Sequence, residues 1–432
     1  MSRFEDLLNL IKRKEAKVAV IGLGYIGLPT ALFYVMRGLK VRGIDTNKDL
    51  VDGLKKGKIS IHEEGLGEIA SEYLPKITLQ TNYDGVEDSD ICVLCLPSPV
   101  DEYGKPVTKY LEDAVKDVAK RMKRGVLVLN ESTVPVGTTQ SLFDLFREES
   151  KQDSNEVWFA HCPERVLPGN VVEEMDTNHR LAGGTSEEAT NLAVAFLQSV
   201  FKPELIHPTS SGVSEAAKLA ENAFRDVNIS YANELAKICT HLSVDVSEVI
   251  RLANLHPRVS ILNPGLGVGG YCLPKDGWIL VESARAKGGE AELIPAARHV
   301  NDSMPEHVSK RISEELLTRK GRATVGLLGV AFKENVSDTR NSPTVELLKS
   351  LTSMDIDVMV YDPLVTDTFG VKKADNIDDL VESAEFIVMC VGHRLILDEM
   401  KSRDLSKKVF FDPRNMMPEL RTKVMKYIGL SV

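Results

Sequence analysis

At 432 residues the chain exceeds what one hydrophobic core usually organises, so two or three domains are expected. Its 43% hydrophobic and 27% charged residues, with no apolar run of membrane-spanning length, are those of a globular protein and exclude a transmembrane segment or a membrane partner. A formal net charge of −10 argues against a general nucleic-acid binder, though not against a local basic pocket for a phosphate-bearing ligand. Residues 1–16 are too charged for a secretory signal, which points to the cytoplasm. The six cysteines (92, 95, 162, 239, 272 and 390) are too dispersed for a disulfide framework or a metal site. Cys92 and Cys95 form a CxxC pattern within the apolar run 91–96, but residues three apart on a strand face opposite sides, so the pair reads as structural.

In chain order, Lys17–Ile21 is a short β-branched strand leading into Gly22-Leu23-Gly24-Tyr25-Ile26-Gly27, after which residues 28–37 are apolar at helical spacing. A second strand, Lys40–Ile44, ends at Asp45, about twenty residues beyond the central glycine, where a carboxylate meets a ribose hydroxyl. A GxGxxG loop alone is weak; with a strand before it, a helix after it and a carboxylate closing the next strand, it reads as a dinucleotide site. The glycines permit the turn and close approach of a pyrophosphate at the helix N-terminus. Asp45 repels a 2′-phosphate and no arginine follows it, which favours NAD over NADP.

Residues 90–96 form the next strand, ending at Pro97-Ser98-Pro99. A helix over 108–121 and a strand over 125–129 follow, the strand opening into Asn130-Glu131-Ser132-Thr133-Val134-Pro135. Loops at the carboxyl ends of parallel strands are where open α/β sheets hold ligands, which places Pro97, Ser98 and Thr133 against the cofactor. The same run also fits a helix cap supplied by Thr138 or Thr139. A strand over 157–160 then opens into His161-Cys162-Pro163-Glu164-Arg165-Val166, where Glu164 fits either a general base or a surface ion pair with Arg165.

From 214 to 242, apolar residues at Val213, Ala217, Ala220, Phe224, Val227, Tyr231, Leu235 and Ile238 step by three and four without an interrupting glycine or proline. One long amphipathic helix is expected, able to join two α/β domains and to offer its stripe to a partner subunit. Lys218, Asn222 and Arg225 share a face of it, suited to an oxyanion or simply its wet side. His256-Pro257-Arg258 offers a further basic group. The stretch 263–276 then sets four glycines (265, 267, 269 and 270) just before Cys272, Lys275 and Asp276. Such glycine density allows positive φ and close backbone approach to a ligand. Lys275 there favours a thiolate at Cys272 by Coulomb attraction, and Asp276 orders a water or a lysine, although the stretch also fits a flexible turn with Cys272 as filler.

The last third repeats the first. Residues 322–333, 357–361, 384–391 and 408–411 read as strands, with 344–351 as a helix between the first two, so an internal pseudo-repeat is expected: two doubly wound α/β domains flanking a helical middle. The second copy lacks GxGxxG and carries Lys333 and Asp338-Thr339-Arg340, cations suited to a phosphorylated ligand other than NAD.

Six motifs in order, namely 22–29, 131–135, 163–164, 218–224, 267–276 and 332–333 with 338–340, make the chain resemble the UDP-glucose/GDP-mannose dehydrogenase family from about residue 17 to about 414. The resemblance implies an NAD-binding Rossmann domain (1–208), a central helical dimerisation domain carrying the cysteine loop (209–312) and a UDP-sugar-binding Rossmann-like domain (313–432), assembled as a homodimer or higher homo-oligomer. It implies oxidation of a sugar carbon-6 alcohol to the carboxylate with two NAD in turn, through an aldehyde captured by Cys272 as a thiohemiacetal and then held as a thioester. Carried over by position, Lys218 and Asn222 stabilise the oxyanion, Asp276 with Thr133 orders the water, and Glu164 assists hydrolysis. Gly22, Gly24, Tyr25, Ile26, Gly27, Asp45, Pro97, Ser98 and Thr133 hold the cofactor, with Arg340 on a diphosphate. Glu164, Arg165, Val166, Lys218, Asn222, Arg225, Gly269 and Lys333 line the substrate, and Arg258 reaches a neighbour's substrate.

The segments 162–169 and 256–259, followed by Asn263-Pro264-Gly265, look like the branch acting on UDP-N-acetylhexosamines, which favours UDP-N-acetylmannosamine and then UDP-N-acetylglucosamine. Pro168 stands where the UDP-glucose branch often has a second glutamate, and Tyr271 where many N-acetyl members have histidine. Lys275-Asp276 is similar to the UDP-glucose branch. Two alternatives stand beside this reading: a UDP-glucose 6-dehydrogenase, and an NAD-binding sensor or assembly protein that has lost the chemistry.

Overall fold

The computed structural model of the chain describes residues 2–61, 63–101, 104–122, 125–150, 156–167, 169–318 and 323–431; Pro168 lies outside the described residues. Two compact units are present, Met1–Ala220 with Glu282–Gly288, and Glu221–Val281 with Gly289–Val432. Among the described residues no helix is long and apolar enough to cross a membrane.

The first unit is built on an eight-stranded sheet of β1 (Lys17–Ile21), β2 (Lys40–Ile44), β3 (Thr78–Gln80), β4 (Ile91–Leu94), β5 (Val126–Asn130), β6 (Val157–His161), β7 (Arg180–Gly184) and β8 (Ile206–Ser210). Its spatial order is 3-2-1-4-5-6-7-8, and β7 alone pairs antiparallel with the strand before it. Strands β4, β5 and β6 are buried at every position, as apolar β-branched runs must be when helices cover both faces of a parallel sheet. Alternation along β1 sends Val18 and Val20 into one core and Ala19 and Ile21 into the other. Cys92 joins the second core and Cys95 packs on the first, so the CxxC pair does face opposite sides of the sheet.

The helix Gly27–Met36 is apolar all round and buried from Gly27 to Val35, with Tyr34 edge-on to Phe196 at 5.2 Å between ring centroids. It ends where Gly38 takes φ +94 and returns its N–H to the Val35 carbonyl at 2.9 Å. Each fully buried Leu, Val or Phe in such a core contributes about 1.5–3 kcal/mol.

The second unit holds a six-stranded sheet of β9 (Val325–Leu328), β10 (Val358–Tyr361), β11 (Lys372–Lys373), β12 (Phe386–Met389), β13 (Leu405–Phe411) and β14 (Val424–Ile428). All its pairings are parallel and its order is 11-10-9-12-13-14, the same succession as the first six strands of the other sheet. The internal repeat is thus present, and the fold is α/β with two Rossmann-like domains and a helical segment between them in sequence.

That segment begins with the helix Ser211–Leu242, 32 residues and about 48 Å long. It starts three residues before the apolar spacing predicts. Ala223, Ala232, Ala236 and Cys239 form its buried face, whereas Phe224, Tyr231, Ile238 and Leu242 are 66%, 53%, 49% and 65% exposed. The aromatic part of the predicted stripe, at seven-residue spacing, therefore faces outward on this chain.

Candidate active site

In the first unit the site residues gather at the carboxyl ends of β1, β2, β4, β5 and β6. Gly22 has φ +90, and a Cβ there would stand 2.3 Å from the Cys95 carbonyl oxygen. One on Gly27 would stand 1.8 Å from the Gly22 oxygen. Both glycines are required by backbone packing. Gly24 is the opposite case: a methyl there meets nothing within 4 Å, which leaves the open cradle a pyrophosphate needs beside a helix N-terminus. Asp45 is half-buried at the end of β2, its Oδ2 accepting from Leu23 N–H at 2.8 Å and its Oδ1 from Asn47 N–H at 2.8 Å. The carboxylate thereby fixes the glycine turn while its side chain keeps access to solvent. Tyr25 donates to the Glu63 carboxylate, which also accepts from Gly169 and Val171 N–H, so the turn is tied to the loop after β6. These features fit a dinucleotide.

The loops after β4 and β5 are sewn together by Ser132, whose Oγ accepts from Leu96 N–H at 2.9 Å and donates to the Leu96 carbonyl at 2.8 Å. Ser98 beyond it is buried, Pro97 exposed and Thr133 half-buried. His161 braces the same turn, with Nε2 3.3 Å from the Ser132 carbonyl and Nδ1 2.9 Å from Ser214 Oγ. Burial, with Lys218 adding to it, pushes this imidazole down to about 3, so it is neutral.

Glu164 is buried and paired with Arg180 at 2.8 Å, and its other oxygen accepts from Arg165 N–H at 2.7 Å. The surface pair with the Arg165 guanidinium, open from the sequence, is not what forms; that group donates to the His179 carbonyl at 2.8 Å. Val166 is half-buried against the core. Nor do Thr138 and Thr139 cap the helix Thr138–Ser150. Glu215 does so, accepting from Gly137 N–H at 2.6 Å and Thr139 N–H at 2.7 Å.

In the second unit the cysteine loop is framed on three sides. Gly265 N–H donates to Asn233 Oδ1 at 2.8 Å, and Asn233 in turn donates to Asn301 at 2.9 Å. Gly267, at φ +116, lies so close to the Asn301 carbonyl that a Cβ would sit 2.6 Å from it. On the third side lies the loop after β9. Gly270 N–H donates to the Arg340 carbonyl at 3.0 Å, and Asn341 Nδ2 donates to the Gly270 carbonyl at 3.0 Å. A Cβ on Gly269 would fall 2.6 Å from the Asn341 oxygen, and one on Gly270 would fall 2.7 Å from the Phe332 ring. The glycines are there because two backbones touch, and a flexible turn does not describe them.

Cys272 is exposed immediately before the helix Leu273–Arg285. In the first turn of that helix Asp276 is wholly buried, accepting from Asn222 Nδ2 at 2.6 Å and pairing with Lys275 Nζ at 2.8 Å. Asp276 thus orders a lysine, one of the two roles its position in the sequence allows, and Lys275 shares its charge with that neighbour. Arg225 donates to Asn222 Oδ1 at 3.1 Å, completing the chain Arg225–Asn222–Asp276–Lys275. Lys218, half-buried, stands four residues before Asn222 in the same long helix.

Two cations lie over the Tyr271 ring, Lys275 Nζ 5.0 Å and the Arg340 guanidinium 5.1 Å from its centroid. Arg340 also forks onto Asp338 at 2.6–3.0 Å, so its charge is partly engaged. Lys333 is half-buried in the same loop as Arg340, whereas Arg258 is exposed elsewhere in the unit, 3.4 Å from its own neighbour His256. The structure thus gathers Cys272, Asn222, Arg225, Asp276, Gly269 and Arg340 around one loop pairing and leaves Arg258 outside it.

Three family models match the chain: the NAD binding domain (residues 16–204), the central domain (212–303) and the UDP binding domain (326–419) of the UDP-glucose/GDP-mannose dehydrogenase family. It is 36% identical over 422 residues to a UDP-N-acetyl-D-mannosamine dehydrogenase of Methanococcus aeolicus, covering 95% of this chain and 94% of that one. The chain belongs to the UDP-glucose/GDP-mannose dehydrogenase family. It is 35% identical over 412 residues to an NDP-N-acetyl-D-galactosaminuronic acid dehydrogenase of Ralstonia nicotianae, covering 92% of this chain and 96% of that one. The solved UDP-D-ManNAc dehydrogenase from Pyrococcus horikoshii superposes with a TM-score of 0.88 at 35% identity, covering 96% of this chain and 99% of the other. As a member of this family the chain is an NAD-dependent oxidoreductase acting on a nucleotide sugar.

Sequence reasoning missed one buried centre in this dehydrogenase. Glu131 accepts from Thr30 Oγ1 at 3.2 Å, Tyr34 OH at 3.1 Å and Cys95 Sγ at 3.2 Å, joining the helix Gly27–Met36 to the exits of β4 and β5. Burial, then the nearby Glu164 charge, pushes its carboxyl up to about 7. Its signals were a carboxylate directly after an apolar strand and a place at the head of the motif 131–135, neither of which shows what it binds. Phe332 lay in a recognised motif without its packing role being legible, and Asn341, which also holds the glycine loop, and Arg180, which pairs with Glu164, left no such signal.

Proposed function

We propose that this dehydrogenase oxidises the carbon-6 alcohol of a UDP-N-acetylhexosamine, UDP-N-acetylmannosamine first and UDP-N-acetylglucosamine next, to the uronate through covalent intermediates on Cys272. The observation that carries the reading is the hydrogen bonding of Gly270 to the Arg340 carbonyl and the Asn341 side-chain amide, which sets the thiol loop against the loop bearing Lys333 and Arg340. A nucleotide diphosphate held by those cations has its sugar next to a thiol.

The Gly22–Gly27 turn and Asp45, with Tyr25, Ile26, Pro97, Ser98 and Thr133, would hold NAD, which when bound would supply the hydride acceptor for each of the two oxidations. The remaining work falls to side chains. The thiolate of Cys272 adds to the carbon-6 aldehyde, and the hemithioacetal oxygen it creates needs donors, the role assigned to Lys218 and the Asn222 amide. Loss of the second hydride leaves a thioester. Water attacks that carbonyl, the C–S bond breaks, and the thiol and the uronate are released. Asp276 suits the ordering of water, because its carboxylate is fixed by Asn222 and Lys275 and has lone pairs beyond those two bonds. Thr133 and Glu164 are assigned to the same hydrolysis, while Arg165, Val166, Arg225, Gly269 and Lys333 position the substrate and Arg340 a diphosphate.

The outward row Phe224, Tyr231, Ile238 and Leu242 supports assembly through the 209–312 segment as a homodimer or larger homo-oligomer, since so large an apolar row is costly in water. Arg258 is then assigned to the neighbouring subunit's substrate. A cytoplasmic location accords with the reaction's soluble cofactor. Purified protein supplied with NAD and a panel of UDP-sugars tests the reading: two NADH per sugar, fastest with UDP-N-acetylmannosamine, is the expected result. Fastest turnover of UDP-glucose would move the substrate to the other branch. No turnover on any sugar would leave a dinucleotide-binding protein without the chemistry.

A further inference from the structure

Where the first sheet uses Asp45 at the end of β2, the second carries Asp362 at the end of β10, and it is buried. Its Oδ2 accepts from Val330 N–H at 2.7 Å, Ala331 N–H at 3.1 Å and His393 Nε2 at 3.0 Å; its Oδ1 accepts from Leu364 N–H at 2.9 Å and Val365 N–H at 3.2 Å. Five donors saturate the carboxylate, so it has nothing to offer a ribose. His393 is buried too, and its Nδ1 accepts from Asn335 N–H at 3.0 Å. An imidazole that accepts at Nδ1 and donates at Nε2 is neutral and fixed in one tautomer. Asn335 sits at φ +59, a conformation asparagine tolerates better than most residues, and its side-chain oxygen accepts from Arg394 N–H at 3.0 Å.

The loop between these anchors carries Lys333. Asp362 holds it at 330–331 and His393 holds it at 335, and the two anchors are bonded to each other. We propose that His393 is a positioning residue for nucleotide-sugar binding, pinning the Lys333 loop at both ends through Asn335 and Asp362. The proposal rests on the reading that this loop receives the UDP moiety. His393 reaches the ligand only through the loop, so its loss weakens capture of the nucleotide and leaves the chemical step and the dinucleotide site alone.

The test is calorimetric binding of UDP, with steady-state kinetics of UDP-N-acetylmannosamine oxidation, in full-length wild type, His393→Ala, His393→Gln and His393→Asn. The alanine variant is expected to raise the UDP Kd and the sugar-nucleotide KM about tenfold, as loss of two buried hydrogen bonds implies. Its kcat and NADH Kd stay within twofold. Gln keeps the donor to Asp362 and Asn keeps the acceptor for Asn335, so each restores part of the affinity. A UDP Kd within twofold of wild type in the alanine variant, or a loss falling on kcat or NADH instead, overturns the proposal. Should the alanine variant not fold, as judged by NADH binding and thermal melting, the other two carry the test, and UDP affinity unchanged in both overturns it. Wild-type protein that turns over UDP-sugars while the variants bind UDP normally removes this inference alone. Wild-type protein that binds no UDP removes the reading beneath it as well.

Discussion

The two sheets share one strand order and end their second strand with the same residue type, yet they present that residue oppositely. Asp45 keeps access to solvent beside a glycine turn with open space at Gly24. Asp362 is sealed by five donors, and a Cβ on the glycine of its turn, Gly329, would lie 2.5 Å from the Val391 side chain. A repeated fold therefore need not repeat its ligand. The first copy leaves its strand-end carboxylate half-buried with access to solvent, and the second uses it to hold a loop. Backbone architecture supplies a crevice at the switch point of each sheet, and a few side chains decide what may enter.

The sharpest way to break this division is at the thiol. Serine at 272 is expected to lower uronate formation by at least about 10³-fold, because a hydroxyl is a far weaker nucleophile and a poorer leaving group than a thiol. NADH titration of the same variant is expected to match wild type, since Cys272 lies in the second unit and the dinucleotide turn in the first. Acid released at the wild-type rate would show that the covalent step is not on this residue.

Glycine substitution separates the two crevices by stability. At Gly270, φ is +86 and an added methyl meets the Phe332 ring at 2.7 Å, so alanine is expected to cost about 2–4 kcal/mol, seen as a lower denaturant midpoint and a raised KM for the sugar nucleotide. Alanine at Gly24 meets no protein atom. It should leave the midpoint unchanged and weaken NADH instead. Equal destabilisation at both positions would mean that the open space at Gly24 is filled by protein.

How much of this was readable beforehand follows from how far apart the partners lie in the chain. The dinucleotide turn is a local pattern, with Gly22, Gly24, Gly27 and Asp45 lying within one strand-helix-strand unit, and its purpose could be read directly. The density of glycines before Cys272 was visible, but their reason was not. Phe332, Asn341 and Asn301, the groups they pack against, are distant in sequence, and although Phe332 belongs to a motif, nothing in the sequence says that it meets these glycines. Glu131 was hidden for the same reason: its donors Tyr34 and Thr30 are 97 and 101 residues away. The Lys275–Asp276 pair was legible for the opposite reason: the two are adjacent in sequence, and the helix start turns the lysine onto its neighbour's carboxylate.

Glu131 allows the first crevice to be examined through pH. Its carboxyl is pushed up to about 7, so between the ordinary carboxylate range and pH 7 the folded state holds a proton that the unfolded chain has released. Stability then falls as pH rises through this window, by on the order of 2–3 kcal/mol. Denaturation of the wild type at pH 5 and pH 8 should show that decline, and Glu131→Gln should flatten it and be the more stable of the two at pH 8. A wild-type midpoint that rises over the same interval would mean that Glu131 is ionised in the fold and held by its three donors.

The smallest effect is expected where the comparison began. In Asp45→Asn one side-chain oxygen remains, enough for either Leu23 N–H or Asn47 N–H but not both, and the negative charge that opposes a 2′-phosphate is gone. NAD affinity should fall by about three- to tenfold, the value of one ordinary hydrogen bond, and NADP affinity should fall less or rise. The ratio of the two constants is the informative quantity, because a general loosening of the turn lowers both alike, whereas removal of a ribose acceptor narrows the gap between them. The same substitution at Asp362 trades an acceptor for a donor among backbone N–H groups. It should therefore lower the melting temperature and the affinity for UDP and leave both dinucleotide constants where they were. If Asp362→Asn changed NAD binding as much as Asp45→Asn does, the two carboxylates would not have diverged in use, and the second sheet would have to be counted as a dinucleotide site.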